Sequence, residues 1–126
     1  MKNKWDEIYK KEIGSYSWEP TAPIKKFCKK LKQNLGEKKV RILDLGCGIA
    51  QNSIYLASKG HIVVGVDVSN AALQTAAVKV NLEKIQNVIL LHGNMRSLPF
   101  PNEHFEVVLS TNTLHHGKLK NIKTAA

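Results

Sequence analysis

The spacing of apolar residues along the chain changes near residue 40. Before that point they recur at helical intervals with lysines mainly on the other face, which predicts an amphipathic helix from Pro20 to Leu35. A shorter helix is expected over residues 4–11, broken at Gly14. Beyond residue 40, four runs are almost continuously apolar, which is typical of parallel strands buried on both faces. These runs are 40–45, 61–67, 88–91 and 105–109.

Helical patterns alternate with these strands. They cover residues 51–59, a helix capped by Ser69 that runs to about Lys84, and a polar helix that begins at Lys118. Strands that alternate with helices and are joined by right-handed crossovers form a sheet covered on both sides. The sequence therefore predicts an α/β fold: a Rossmann-like open, mostly parallel sheet with helices on both faces and only the first four strands present.

The length of 126 residues suits one modest domain. We divide it into an N-terminal helical segment, residues 1–39, and a partial Rossmann-like domain, residues 40–126. The two cysteines, Cys28 and Cys47, make neither a disulfide framework nor a CxxC metal pair, so no metal is expected. No apolar run approaches the roughly 20 residues that span a bilayer, and the N-terminus lacks the apolar stretch of a signal peptide. We expect a soluble, cytoplasmic protein with no membrane partner.

The chain carries a net charge of +9. Such an excess fits either a surface for RNA or another polyanion, or a lysine-rich helix face in solvent. Only Arg41 and Arg96 are arginines, and no aromatic residues are interleaved with a basic run as a stacking platform needs. The solvated face is favoured, and an RNA partner rests on the charge alone.

A glycine turn follows the first strand, in the order Asp44-Leu45-Gly46-Cys47-Gly48-Ile49-Ala50. Asp67 ends the next strand, 21 residues after Gly46, where an acid can accept hydrogen bonds from ribose hydroxyls. A dinucleotide site would place its third glycine at Gln51, and Asp44 would repel a pyrophosphate. A cationic nucleoside such as S-adenosylmethionine (SAM) fits better. The alternative for Asp44 is a local role as a cap for backbone N–H groups.

Three stretches of the sequence resemble a known family. VRILDLGCGIAQNSIYLASKG, HIVVGVDVS and HGNMRSLPFPNEHFEVVLSTNTLHH are similar to class I SAM-dependent methyltransferases, closest to small-molecule enzymes of the methyltransferase domain 11 or 25 type. That family has a seven-stranded sheet in the order 3-2-1-4-5-7-6. The resemblance therefore implies a C-terminally truncated chain whose exposed fourth strand could pair with a second copy.

The resemblance also implies a set of cofactor-binding residues. Those along the methionine part of the cofactor are Asp44, Gly46, Cys47 and Gly48, with Ser110 flanking its end. Those along the adenosine part are Asp67 at the ribose, Val68 on the adenine face, Asn94 at the adenine amino group and Met95 with its backbone N–H. Asn94 stands where the family usually has aspartate, and an amide oxygen can still accept that hydrogen bond.

The implied function is methyl transfer from SAM to a small-molecule acceptor. The alternatives are a non-catalytic module that binds an adenosyl ligand, an RNA methyltransferase and, third, a nicotinamide oxidoreductase. No catalytic residue is assigned. His115 and His116 could supply a general base but fit better as residues that line the pocket or begin a helix. The N-terminal aromatic residues could form a lid or simply anchor the segment to the sheet: Trp5, Tyr9, Tyr16 and Trp18.

Overall fold

The fold is a four-stranded parallel sheet with helices packed against it. A computed structural model describes residues 11–94 and 104–110. The strands are β1 (Arg41–Leu45), β2 (Ile62–Asp67), β3 (Val88–His92) and β4 (Val107–Ser110). The helices are α1 (Ala22–Leu35), α2 (Gln51–Ser58) and α3 (Asn70–Leu82). Strands that alternate with helices in one parallel sheet confirm the predicted α/β fold class.

Strand β1 lies inside the sheet, in the spatial order β3-β2-β1-β4. Leu43 is in register with Val64 of β2 on one side and with Val108 of β4 on the other. Because all pairs are parallel, the four carboxyl ends lie on the same edge of the sheet. This edge is where ligands of open α/β sheets bind.

One face of the sheet forms the larger core with helix α1. The buried face of the helix consists of Ile24, Phe27, Cys28 and Leu31. These residues cluster with Ile42, Val63 and Val107 from three strands. The helical spacing seen in the sequence is therefore the spacing of a core face, and α1 shares its core with the sheet.

The other face of the sheet has its own cluster. Among the described residues it consists of strand side chains and one residue that precedes β4: Leu43, Leu45, Val64, Val66, Phe105 and Val108. Both faces of the central strands are thus buried. This burial explains why the strands are apolar at consecutive positions rather than at alternate ones.

The predicted strands, and the predicted helices that lie wholly within the described residues, are confirmed with small shifts at their ends. The fourth strand begins at Val107 rather than at Phe105, which is buried just before it. Residues 11–13 are helical and Gly14 follows in a turn, whereas the rest of the expected N-terminal helix lies outside the described residues. So does the helix expected from Lys118. No helix in the part of the chain that the structure describes has the length and apolar character needed to cross a membrane.

Candidate functional site

The glycine turn connects β1 to α2 through three left-handed residues. Gly46 and Gly48 have φ of 71° and 59°, and Ala50 has φ of 69°. The backbone N–H groups of Gly46 and Cys47 both donate to the carbonyl of Val66, at 2.7 and 3.0 Å. The turn therefore bends back over the end of β2. Glycine meets the backbone conformation at two of these positions without strain, and nothing lies within 4 Å of where a Cβ on Gly48 would stand.

Asp67 joins the turn to the end of β2. Its Oδ2 accepts the N–H of Gly48 at 2.8 Å, and its Oδ1 accepts the N–H of Ser69 at 2.8 Å. A carboxylate oxygen has a second lone pair, so each oxygen can accept one more hydrogen bond. The structure thus holds the Asp67 carboxylate in a fixed orientation with acceptor capacity left for a ligand.

Asp44 is a buried acid beneath the same turn. It is 1% exposed, and its Oδ2 accepts the hydroxyl of Ser53 at 2.7 Å. Its Oδ1 is buried and has no hydrogen-bond partner. Burial raises the pKa of Asp44 to about 6, against the opposing effect of the Ser53 hydrogen bond, and the charge of Asp67 adds to the rise. The expected alternative, a cap on local backbone N–H groups, is wrong: the partner is a side-chain hydroxyl.

Cys47 is a packed thiol. Burial first, and then the charges of Asp44 and Asp67, raise the pKa of its thiol to about 12. A thiol that stays protonated at neutral pH is a poor nucleophile. Gly65 in β2 makes room for it, because a Cβ there would come within 2.9 Å of the Cys47 sulfur and within 3.3 Å of the Ser53 hydroxyl oxygen.

The end of β3 is tied to the end of β2. The N–H of Gly93 donates to the carbonyl of Asp67 at 3.0 Å. The Nε2 of His92 lies 3.0 Å from the carbonyl oxygen of Val68, and donates to it when the proton is on that nitrogen. Asn94 follows directly after Gly93 at the carboxyl end of β3, and Val68, which follows β2, is 69% exposed. An apolar side chain held in the open at this edge offers a surface for a planar ring.

Ser110 is the last residue of β4 and is in register with Leu45, the last residue of β1. It therefore lies at the same edge of the sheet as the glycine turn. Met95, His115 and His116 lie outside the described residues. Within residues 11–94 and 104–110, no three His, Cys, Asp or Glu side chains are grouped as metal ligands.

Trp18 anchors the segment that precedes α1. Its indole N–H donates to the carbonyl of Ile13 at 2.9 Å, and its ring packs on the cluster that contains Cys47 and Ala50 of the glycine turn. The ammonium of Lys79 lies 5.2 Å from the ring centroid. Of the two roles open to the N-terminal aromatic residues, the structure supports anchoring for Trp18. Trp5 and Tyr9 lie outside the described residues.

Three residues that support the site were not identified from the sequence: Ser53, Gly65 and His92. Only Gly65 carries a usable signal, because a glycine inside an apolar strand marks a close approach of another group. Ser53 faces Asp44 from the first turn of α2, and His92 reaches across two strand ends. Neither contact can be inferred from local sequence patterns.

The arrangement fits SAM. The open space beside Gly48 leaves the backbone accessible, and the two carboxylates suit a ligand that carries positive charge and no phosphate. Asp67 can accept ribose hydroxyls, and exposed Val68 can contact the adenine. The unpartnered Oδ1 of Asp44 leaves negative charge and acceptor capacity beneath the turn.

Comparison with known proteins also indicates a methyltransferase. The family described as Methyltransferase domain matches residues 42–126, more than half of the chain. YqeM of Bacillus subtilis, which carries a methyltransferase name, is 38% identical over 101 residues that cover 79% of this chain and 40% of that protein. Demethylmenaquinone methyltransferase of Listeria welshimeri is 40% identical over 76 residues, which cover 57% of this chain and 32% of that enzyme.

The fold is also found among solved structures. A SAM-dependent methyltransferase from Aquifex aeolicus superposes with a TM-score of 0.55 at 24% identity, over 71% of this chain and 56% of that one. The chain spans less than half the length of the two curated relatives. By the family match and the site geometry together, the chain belongs to the class I SAM-dependent methyltransferases.

Proposed function

We propose that the chain forms the cofactor-binding part of an enzyme that transfers a methyl group from SAM to a small-molecule acceptor. The observation that carries this proposal is the double contact of Asp67. Its carboxylate links the glycine turn to the end of β2 and keeps lone pairs for a ribose. A turn and an acid held together in this way form a site for the adenosine of SAM. The methionine part of SAM then lies along the turn.

In this proposal each candidate residue has one task. Those along the methionine part are Asp44, Gly46, Cys47, Gly48 and Ser110. Those along the adenosine part are Asp67, Val68, Asn94 and Met95. The support comes from the described residues of both groups, which all lie at the carboxyl edge of the sheet or in the turn above it.

SAM, when bound, supplies an electrophilic methyl group on a sulfonium. The chain's own task is to hold that group in line with an acceptor, because alignment alone gives a large part of the acceleration of a two-substrate reaction. Asp44 and Asp67 add negative potential that favours a cationic ligand. Cys47 stays a thiol and takes no part in the transfer. For His115 and His116 we propose a role without catalysis, either lining the pocket or beginning a helix.

A small-molecule acceptor is supported by the relative named for demethylmenaquinone, which is 40% identical over the matched segment. An RNA acceptor rests only on the net charge of +9. A cytoplasmic location is part of the proposal, and the two buried free thiols, Cys28 and Cys47, support a reducing compartment. We also propose self-association through the outer edge of β4.

Calorimetric titration with S-adenosylhomocysteine, with NAD as the comparison ligand, tests the proposal. We expect micromolar binding of the former and none of NAD. Asp67→Ala removes the ribose acceptor and should weaken binding at least tenfold, the loss expected for a hydrogen bond to a charged group. Glu37→Ala, an exposed acid in the loop that leads into β1 at the opposite edge of the sheet, should bind like the parent chain.

Circular dichroism of each variant separates a lost site from a lost fold. Tighter binding of NAD by the folded chain would favour an oxidoreductase. Binding of neither ligand would show that the chain does not carry a working cofactor site. Binding of S-adenosylhomocysteine without turnover of any tested acceptor would favour the non-catalytic module.

A further inference from the structure

A concave site lies at the amino ends of the strands, at the opposite edge of the sheet from the glycine turn. It is a half-open cleft of about 690 Å³ between α1, the loop that leads into β1 and the end of α2. Six lysines from these three segments line it: Lys25, Lys29, Lys32, Lys38, Lys39 and Lys59. In the sequence these lysines are spread over 35 residues and look like a solvated face. The fold brings them around one cavity.

The positive charge of the cleft is poorly compensated. Glu37 is the only acid among the described residues that line it. Lys25 pairs with Glu19, and Lys38 lies near enough to Glu106 to lower the pKa of that carboxyl. Among the described residues, the ammonium groups of Lys29, Lys32 and Lys59 form no ion pair with a carboxylate. Converging, unpaired cations raise the local concentration of anions.

One lysine is held in place at the cleft. The Nζ of Lys39 donates to the carbonyl of Lys59 at 2.9 Å. Its side chain crosses Gly60 so closely that a Cβ there would come within 2.8 Å of the lysine Cε. Glycine at this position therefore lets the side chain of Lys39 lie across the wall of the cleft. The hydrogen bond to Lys59 then fixes the position of its ammonium group.

The charge of Lys39 also acts on His61, which lines the cleft. His61 accepts the N–H of Val40 through Nδ1 at 3.1 Å, which requires the neutral ring with its proton on Nε2. Burial and the charge of Lys39 both lower the pKa of His61. The imidazole therefore adds no positive charge at neutral pH and leaves its Nε2 proton as a donor.

Part of the wall is apolar. Cys28 belongs to the core cluster, and the ring of Tyr55 packs against it with the ammonium of Lys59 5.3 Å from the ring centroid. A cleft that combines an aromatic ring with several cations suits a ligand that has a flat or apolar part and a strongly anionic part.

We propose that this cleft binds a phosphate-bearing small molecule of nucleotide size, with its phosphates among Lys29, Lys32 and Lys59 and its ring against Tyr55. The site is distinct from the cofactor site, because the five residues of β1 separate the two edges of the sheet by about 16 Å. The proposal goes beyond methyl transfer and does not depend on it. A volume of this size, with Tyr55 as the one Phe, Tyr or Trp ring among the described lining residues, favours a small ligand over a nucleic-acid strand, which needs an extended groove with successive rings.

The probes are UTP, inorganic tripolyphosphate and a twelve-nucleotide oligouridylate, titrated in the presence of excess S-adenosylhomocysteine to fill the other site. Lys29→Gln with Lys32→Gln should weaken binding of UTP and of tripolyphosphate about tenfold or more. Lys26→Gln with Lys30→Gln is the matched control, since these exposed lysines of the same helix do not line the cleft. Both double variants have the same net charge, so only position differs.

Tyr55→Leu tests the ring separately from the charge. It should weaken UTP at least about fivefold, the loss expected for one stacked base, and leave tripolyphosphate unchanged. Equal losses in the two lysine pairs, or no binding of UTP and tripolyphosphate by the folded chain, would overturn the proposal. Binding of the oligouridylate alone would overturn it in favour of a nucleic-acid surface.

Discussion

At the scale of single residues, the two acids at the carboxyl ends of β1 and β2 have opposite surroundings. Asp67 is only partly buried and accepts two backbone N–H groups. Asp44 is 1% exposed, has one hydroxyl partner, and keeps one oxygen without any. Asp67 can therefore exchange or add a ligand hydrogen bond at little cost. Asp44 holds a charge whose burial destabilises the fold.

Asp44→Asn should change how stability depends on pH. A carboxyl with a raised pKa binds a proton more tightly in the folded chain than in the unfolded one, so its contribution to stability falls as pH rises from about 4 to about 6. The difference between a pKa of about 6 and the model-compound value of 3.8 corresponds to about 3 kcal/mol. We expect the asparagine variant to gain up to that amount over the parent at pH 7.5 relative to pH 4.

Urea titrations of both chains at the two pH values measure this gain. Burial raises the pKa of Glu106, but its hydrogen bonds and ion pair with Arg41 outweigh this effect and lower it, so its contribution to stability grows with pH. Both chains contain Glu106, so this contribution cancels in the comparison. An unchanged difference between the two pH values would show that Asp44 is not the titrating group.

Gly48→Ala should reduce the affinity for S-adenosylhomocysteine much more than it reduces the stability of the fold. The added methyl group enters open space but forces an L residue to φ of 59°, which costs about 1 kcal/mol of stability. The same methyl group would occupy the space expected for the cofactor, so binding of S-adenosylhomocysteine should fall at least tenfold.

Gly36→Ala is the matched control for this change. Gly36 has φ of 63° and ψ of −126° and is equally open, so alanine there costs at least as much stability at the end of helix α1. Its affinity for S-adenosylhomocysteine should stay at the parent value. A parallel loss of affinity in both variants would assign the effect of Gly48→Ala to folding.

At the scale of elements, α1 depends on the sheet and the sheet on α1. Ile24, Phe27 and Leu31 cover a face of the sheet that includes Ile42 and Val107. Helix α1 belongs to the N-terminal segment, residues 1–39, and the strands belong to the part from residue 40 onwards. The two parts thus share one core. Removing a large side chain from this contact should reduce the stability of both.

Phe27→Ala should lower the free energy of unfolding by about 3–5 kcal/mol, because it leaves a cavity where a buried ring was. Lys26→Ala, the exposed neighbour on the same helix, should change it by less than about 0.5 kcal/mol. Urea unfolding followed by circular dichroism measures both. Similar values for the two variants would show that α1 is not docked on the sheet.

The elements themselves were predictable from the sequence, and their contacts only partly so. Consecutive apolar residues identify strands buried on both faces, and Ser69 identifies the start of α3, where its hydroxyl accepts the N–H of Ala72 at 3.1 Å. The position of Asp67 followed from its place at the end of an apolar run. The pairing of Asp44 with Ser53 did not, because it depends on how helix α2 is rotated over the turn.

At the scale of the whole molecule, the parallel sheet gives the chain two chemically different edges. The carboxyl edge carries Asp44 and Asp67, and the amino edge carries the lysine cleft. The net charge of +9 therefore does not describe either site by itself. A cationic nucleoside and an anionic ligand can be attracted to opposite ends of one small sheet.

The outer edge of β4 leads to a prediction about assembly. Within residues 11–94 and 104–110, β4 pairs only with β1, so its other edge has no strand partner there. Such an edge promotes pairing between chains. We expect the mean mass in sedimentation equilibrium to rise with concentration towards that of a dimer, and to do so equally at 0.5 M salt.

The salt dependence of the mass distinguishes association through the strand edge from association through charged side chains. Backbone pairing and apolar contact persist at high ionic strength, whereas association through the lysines is screened. A constant monomer mass at all concentrations would remove the edge-pairing proposal. A dimer that dissociates in salt would assign the contact to charge.

The strand order also sets a sequence of events during synthesis. Strand β1 is synthesised before β4, which pairs with its second edge. Leu43 therefore has no partner on that side until Val108 has been added to the chain. At roughly 5–20 residues per second, the interval between the end of β3 and the start of β4 is about 1–3 s. For that time a nascent three-stranded sheet exposes one edge of β1, a strand with four consecutive buried residues in the finished fold, so the growing chain is open to wrong strand pairing during this interval.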